Sequence, residues 1–201
     1  MNKKKHLSIF DPNELKVYKK MREVRDKWSL SVLKMFTKLG VKPNHLTLLS
    51  FLMFIPFLIA AKFSMACSIL FLILNIFFDL MDGALARHQK NSNIRGEFYD
   101  LAADNLSFIL IGYGLIYLKV IDGFWGGFYL INHLFLIIML FLINRLGGEV
   151  FPVIRFKYFF YSIYLLLAFT SANYFDAFLV FFAVYTFVSN IFLFNRFRCL
   201  I

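Results

Sequence analysis

Charged side chains are scarce in this sequence, 17% of 201 residues against about 25% in globular averages. Acids are scarcer than bases, 12 to 22. Two cysteines, Cys67 and Cys199, are too few for a disulfide-stapled secreted module. No Ser/Pro-rich linker interrupts the chain and no internal repeat is long enough to suggest the two halves of a transporter. A cleavable signal peptide is also missing, because the first 45 residues are too charged and too long before the first apolar run. Nor is there the interleaving of basic and aromatic residues that single-stranded nucleic acid requires, so a net charge of +10 does not point to nucleic acid as a partner.

What the sequence holds instead is apolar surface. Hydrophobic residues make up 60% of it, including 28 Phe and 10 Tyr, and its mean hydropathy is +0.69. Apolar stretches follow one another from Leu46 to Phe194, which reads as an all-α integral membrane protein. Six spans are predicted, at 44–62, 64–87, 96–118, 123–144, 151–170 and 172–194, each near the ~20 residues a bilayer requires. Twelve Lys and Arg lie in residues 1–45, three in 87–95, three in 145–157 and two in 196–198, leaving only Lys62 and Lys119. With six crossings the first twenty fall on one side, so the positive-inside rule places both termini in the cytoplasm and the protein in the cell membrane. Cys67 and Cys199 then lie near opposite faces and should be free thiols.

Two regions are expected, an N-terminal interfacial segment over 1–43 and a six-helix membrane domain over 44–201. In the first, Asp11 suits a helix cap, Pro12 the first helical position and Glu14 the first turn. Val17, Met21, Val24, Trp28, Val32, Met35 and Leu39 then recur at steps of three or four, with Lys16, Lys19, Lys20, Arg22, Arg25, Lys27, Lys34 and Lys38 around the other face. That is the pattern of a cytoplasmic amphipathic helix lying over anionic lipid, and Gly40 is its stop. Trp28 and Trp125 read as interfacial anchors. Asn75, Asn144 and Asn190 read as interhelical hydrogen-bonding groups, and Asn132 and His133 as a polar pair inside the fourth span.

Against this background the second and third spans are anomalous. The run Asp79-Leu-Met-Asp82-Gly83-Ala-Leu-Ala86-Arg87 ends one, and Gly96-Glu-Phe-Tyr-Asp100-Leu-Ala-Ala-Asp104 opens the next. Spacings of i, i+3 and i, i+4 place each acid pair on one helical face, and the short cytoplasmic loop between returns the chain so that the pairs face each other at similar depth. An Asp at mid-membrane costs about 2.5–3.5 kcal/mol on insertion scales, and two like charges 4 Å apart repel by about 4 kcal/mol at an effective dielectric of 20. Protonation, divalent cations or distant basic partners must compensate them. An oxygen-only donor set favours Mg²⁺, Mn²⁺ or Ca²⁺ over zinc. Gly83, Ala86 and Gly96 beside the acids leave room for a ligand or for close helix packing, and Arg87 offers a fork of donors suited to phosphate. Arg145, Arg155 and Lys157 serve either an acceptor's phosphate or topology. The rival readings are a cation-coupled transporter using the same acids and a non-catalytic scaffold.

The spacing Asp79-x₂-Asp82-Gly83-x₂-Ala86-Arg87-x₈-Gly96-x₃-Asp100-x₃-Asp104 resembles, at all eight fixed positions, the signature of the CDP-alcohol phosphatidyltransferases. Pro43-Asn44-x₂-Thr47 is similar to the family's motif before the first span. The resemblance implies six transmembrane helices behind a cytoplasmic amphipathic helix, a homodimer, and metal-dependent transfer of a phosphatidyl-type group from a CDP-linked lipid to a small alcohol, with release of CMP. It further implies two Mg²⁺ ions, replaceable by Mn²⁺, bridged by Asp79 and Asp100. Asp82 would hold one ion, and Asp104 would ligate the other and act as general base. Gly83 and Arg87 would contact the CDP-alcohol, and Asn44 and Asn93 the nucleotide or its pyrophosphate. Among the family's acceptors, a phosphorylated polyol such as glycerol phosphate or inositol phosphate is the expectation.

Overall fold

A computed structural model describes residues 26, 28–90, 94–148, 156–167 and 175–200, with the side chains of 94, 95 and 97 excepted. Among these residues every regular element is a helix. Helix α1 (Leu30–Lys38) ends at Gly40, whose φ of +70° is the left-handed conformation that a C-terminal cap requires and that glycine adopts without strain. Its buried residue is Leu33, packed with Leu46, Met81 and Leu85, while Trp28, Met35 and Leu39 of the predicted apolar stripe are exposed. Val32 of the same stripe is partly buried against the Leu33 cluster. The remainder of the predicted amphipathic helix, 1–25, lies outside the described residues.

Helices α2 (Pro43–Leu52) and α3 (Phe54–Phe63) together form one apolar span, with a turn at Met53 between them. Pro56 is the cause: it offers no N–H to the carbonyl one turn back, and the Met53 N–H bonds to both Leu49 O and Ser50 O. Ser64 then caps α4 (Met65–His88) by accepting from the Cys67 N–H, and the chain returns as α5 (Ile94–Tyr117). Asp122 caps α6 (Gly123–Arg145) through the Trp125 N–H at 2.8 Å. Helices α7 (Lys157–Leu167) and α8 (Phe175–Arg198) complete the described chain.

Four segments, Pro43–Phe63, Met65–His88, Gly123–Arg145 and Phe175–Arg198, are long and apolar enough to cross a bilayer, which marks a multi-pass membrane protein. Helix α5 has the length, at about 36 Å for 24 residues, but Asp100, Asp104 and Asn105 dilute its apolar character. Only 157–167 of the predicted fifth span are described. Cys67 and Cys199 are exposed free thiols, as expected.

The bundle core is aromatic. Phe57, Phe108, Tyr129, Phe160 and Phe175 are fully buried, with Phe108 edge-on to both Phe160 and Tyr161. Gly114 lets α5 press against Leu58 of α3, where a Cβ would collide with the leucine. Neutral polar pairs pin the helices across this core. The Asn75 amide donates to Ser50 O at 2.7 Å and to Ser107 Oγ at 3.0 Å, joining α2, α4 and α5. The Asn190 amide donates to Asn132 O at 2.9 Å between α8 and α6, Asn105 meets His133 at 3.3 Å, and the Ser68 and Tyr164 hydroxyls lie 2.6 Å apart. The predicted interhelical roles of Asn75 and Asn190 are thus met.

Candidate active site

The site is assembled where the last turns of α4 approach the first turns of α5. Asp82 lies six residues before the end of α4 and Asp100 six residues after the start of α5, so both sit about 9 Å along their helices. Asp79 and Asp104 sit deeper, about 14 and 15 Å along. Antiparallel register therefore matches acids across the two helices: Asp82 lies within hydrogen-bonding reach of Asp100, and Asp79 of Asp104. All four interact electrostatically, and Asp82 is buried.

Two outlying side chains, Thr47 and Lys157, hold this cluster, and a third, Arg87, stands at its edge. Thr47 Oγ1, from α2, donates to Asp82 Oδ2 at 2.7 Å, while the Gly83 N–H points at the other oxygen of the same carboxylate. The threonine of the short motif before the first span thereby gains a structural reason. Lys157, at the start of α7, is buried and places its ammonium on the Asp104 carboxylate, 5.6 Å from the ring centres of both Tyr158 and Tyr161. Arg87 donates from Nε and Nη2 to the two oxygens of Asp26, at 2.9 and 2.7 Å, in a fork-to-fork pair. The guanidinium also lies over Gly83, where a Cβ would stand 3.4 Å from Nη1. Gln89, just past α4, donates to Val41 O at 2.9 Å and ties the mouth of the site to the start of α2.

The expected residues are therefore distributed unevenly. Asp79, Asp82, Asp100 and Asp104 come together, and Gly83 and Arg87 flank them. Asn44 is exposed on α2, one turn before Thr47, and Asn93 lies outside the described residues. Arg145 ends α6, and Arg155 is again outside the described residues. Lys157 departs most from expectation, because it is spent on an acid inside the bundle rather than standing at its surface. Its sequence signal was a single lysine in the run Phe156-Lys157-Tyr158-Phe159-Phe160. Asp26, a lone acid between Arg25 and Lys27, gave less.

Among the described residues no three His, Cys, Asp or Glu side chains gather on a single point. The carboxylates stand instead as cross-helix pairs. The donor set nevertheless fits hard divalent cations: all its atoms are carboxylate oxygens, and Arg87 is already committed to Asp26. The ammonium of Lys157 meets only one of the four carboxyl groups, that of Asp104, and hard divalent cations suit the others.

A sequence model of the CDP-alcohol phosphatidyltransferase family matches residues 41–192, about three quarters of the chain. No curated protein matches it. The match takes in α2 to α7, most of α8, all four aspartates, Thr47 and Lys157. A helical membrane protein that gathers four aspartates where two adjacent helices meet, and whose sequence fits that family from the first span to the last described helix, belongs to the CDP-alcohol phosphatidyltransferases, transferases of substituted phosphate groups that serve phospholipid synthesis.

Proposed function

We propose that this chain moves a phosphatidyl-type group from a CDP-linked lipid such as CDP-diacylglycerol to a small alcohol and releases CMP. The observation that carries the reading is the matching of Asp79 with Asp104 and of Asp82 with Asp100 where the end of α4 meets the start of α5. A cation-coupled transporter would spread its acids through the membrane's depth.

The family generally uses divalent metal ions. Asp79, Asp82, Asp100 and Asp104 would hold two Mg²⁺, or Mn²⁺ in their place, which when bound supply charge neutralisation for the donor's pyrophosphate and for the departing CMP. Thr47 keeps Asp82 oriented through its 2.7 Å hydrogen bond. Asp104 takes the proton of the acceptor hydroxyl as its oxygen bonds to the lipid-side phosphorus. The bond from that phosphorus to the bridging oxygen breaks, and its electron pair leaves with CMP. Gly83 keeps space open beside Arg87, whose guanidinium exchanges Asp26 for a phosphate oxygen of the donor. Asn44 and Asn93 are assigned to the nucleotide end. The same reading takes in six crossings, a cytoplasmic amphipathic N-terminal helix over 1–43, a membrane domain over 44–201, cytoplasmic termini and a homodimer.

The direct test is incubation of the purified protein with Mg²⁺, CDP-diacylglycerol and a panel of alcohols, with CMP release as the readout. Release that depends on both the cation and one class of alcohol is expected. Absence of CMP with every alcohol, together with cation flux in proteoliposomes, would favour the transporter instead.

A further inference from the structure

Buried side-chain polar atoms without a hydrogen-bond partner are few among the described residues, and besides Asn190 Oδ1 and Arg196 Nε they include the hydroxyls of two phenols. Tyr129 is 0% and Tyr161 4% exposed, and among the described residues neither hydroxyl has a hydrogen-bond partner. Tyr164, one turn beyond Tyr161 on α7 and just as buried, is matched by Ser68 at 2.6 Å. A polar group left unpartnered in hydrocarbon costs several kcal/mol, so such exceptions are informative about ligands.

The two phenols occur in one place. Phe108 lies one helical turn beyond Asp104 on α5, and the rings of Tyr129 and Tyr161 flank it at 6.1 and 5.7 Å. Tyr161 follows Lys157 by one turn on α7 and interacts electrostatically with Lys157, Asp104 and Asp79. Tyr129 interacts in the same way with Tyr161 and Lys157. An ammonium thus lies on the carboxylate assigned to deprotonate the acceptor, with the Tyr161 phenol one turn beyond that ammonium on α7 and the Tyr129 phenol on the far side of Phe108.

We propose that Tyr129, Tyr161 and Lys157 form the subsite that receives the acceptor, and that the acceptor is a polyol, free or phosphorylated, rather than an amino alcohol. The inference rests on the transferase reading above. The phenols bind oxygens of the acceptor other than the one that reacts, which explains their lack of protein partners. The ammonium of Lys157 repels a second ammonium brought beside it, and this disfavours serine or ethanolamine.

The test uses the full-length protein in detergent with Mg²⁺ and CDP-diacylglycerol, offered glycerol, inositol, glycerol 3-phosphate, inositol 1-phosphate, serine and ethanolamine. Polyols or their phosphates should support CMP release, and the two sets of arms distinguish free hydroxyls from phosphate as the recognised group. With the best acceptor, Tyr129→Phe/Tyr161→Phe should raise the acceptor KM about tenfold and leave the donor KM within twofold. Calorimetric binding of that acceptor should weaken in parallel. The same double variant, relieved of two unpartnered hydroxyls, should unfold at a higher temperature than the wild type when no acceptor is present, whereas Tyr164→Phe should unfold at a lower one. Preference for serine or ethanolamine, an unchanged acceptor KM, or a lowered unfolding temperature in the double variant would overturn the subsite. Wild-type protein that releases no CMP with any alcohol would overturn the transferase reading itself, a result distinct from altered affinity in a working enzyme.

Discussion

Two kinds of polar region share this bundle, and they are built on opposite principles. Along α6 and α8, as between α4 and its neighbours, neutral groups meet in pairs: Asn190 with Asn132, Asn75 with Ser50 and Ser107, Ser68 with Tyr164. In each pair a side-chain group of one helix meets a polar group of another, within the chain. Where the end of α4 meets the start of α5, like meets like, with Asp79 against Asp104 and Asp82 against Asp100. Polar groups that complete one another hold helices together, while groups that repel one another need something from outside. The contrast separates structural polarity from chemical polarity without reference to any relative.

The most severe way to break that contrast is to neutralise one acid while keeping its shape. Asp104→Asn should lower turnover by about 10²–10⁴-fold, the contribution of a general base, while a CDP-lipid analogue still binds with nearly wild-type affinity. Turnover at the wild-type rate in this variant would remove Asp104 from the reaction and leave the acid pairs as an unexplained structural feature.

The opposite result is expected on the structural side. Asn190→Leu removes the bonds to Asn132 O and Asn132 Oδ1, at 2.9 and 3.2 Å, and should destabilise the folded protein by about 0.6–1.7 kcal/mol, the range for interhelical hydrogen bonds in membrane proteins. Unfolding in detergent measures the loss, and kcat per folded molecule should stay unchanged. A kcat that falls with stability intact would mean that the neutral pairs also shape the site, and the distinction between the two regions would blur.

The same contrast explains what the sequence made visible. The four acids and their pairing were legible because they depend on local period and on antiparallel register over a short connection, from Asp79 to Asp104. The role of Gly40 as a stop was legible for the same local reason. Three other features depend on distant parts of the chain. Lys157 reaches Asp104 from 53 residues away, Asp26 reaches Arg87 from 61, and Thr47 reaches Asp82 from 35. No periodicity encodes such meetings, because they arise from how α1, α2 and α7 pack around the α4 and α5 pair. The burial of Leu33, with Val32 and Phe36 partly buried beside it, has the same origin: helical spacing tells which residues share a face, but packing decides which face turns inward.

The pair of Asp26 and Arg87 lies between the two regions and offers the mildest test. It is made within the chain, as the neutral pairs are, yet its arginine stands beside Gly83 at the mouth of the acid cluster. About 30% of each side chain is exposed, so screening leaves it little value as a fastener, and its meaning lies in competition with a donor phosphate. Asp26→Asn retains the shape of the partner but weakens its hold on the guanidinium, which should lower the donor KM two- to fivefold with kcat unaltered. A raised donor KM would show the reverse, that Asp26 presents Arg87 to the phosphate rather than withholding it, and would move this ion pair from the structural side of the comparison to the chemical one.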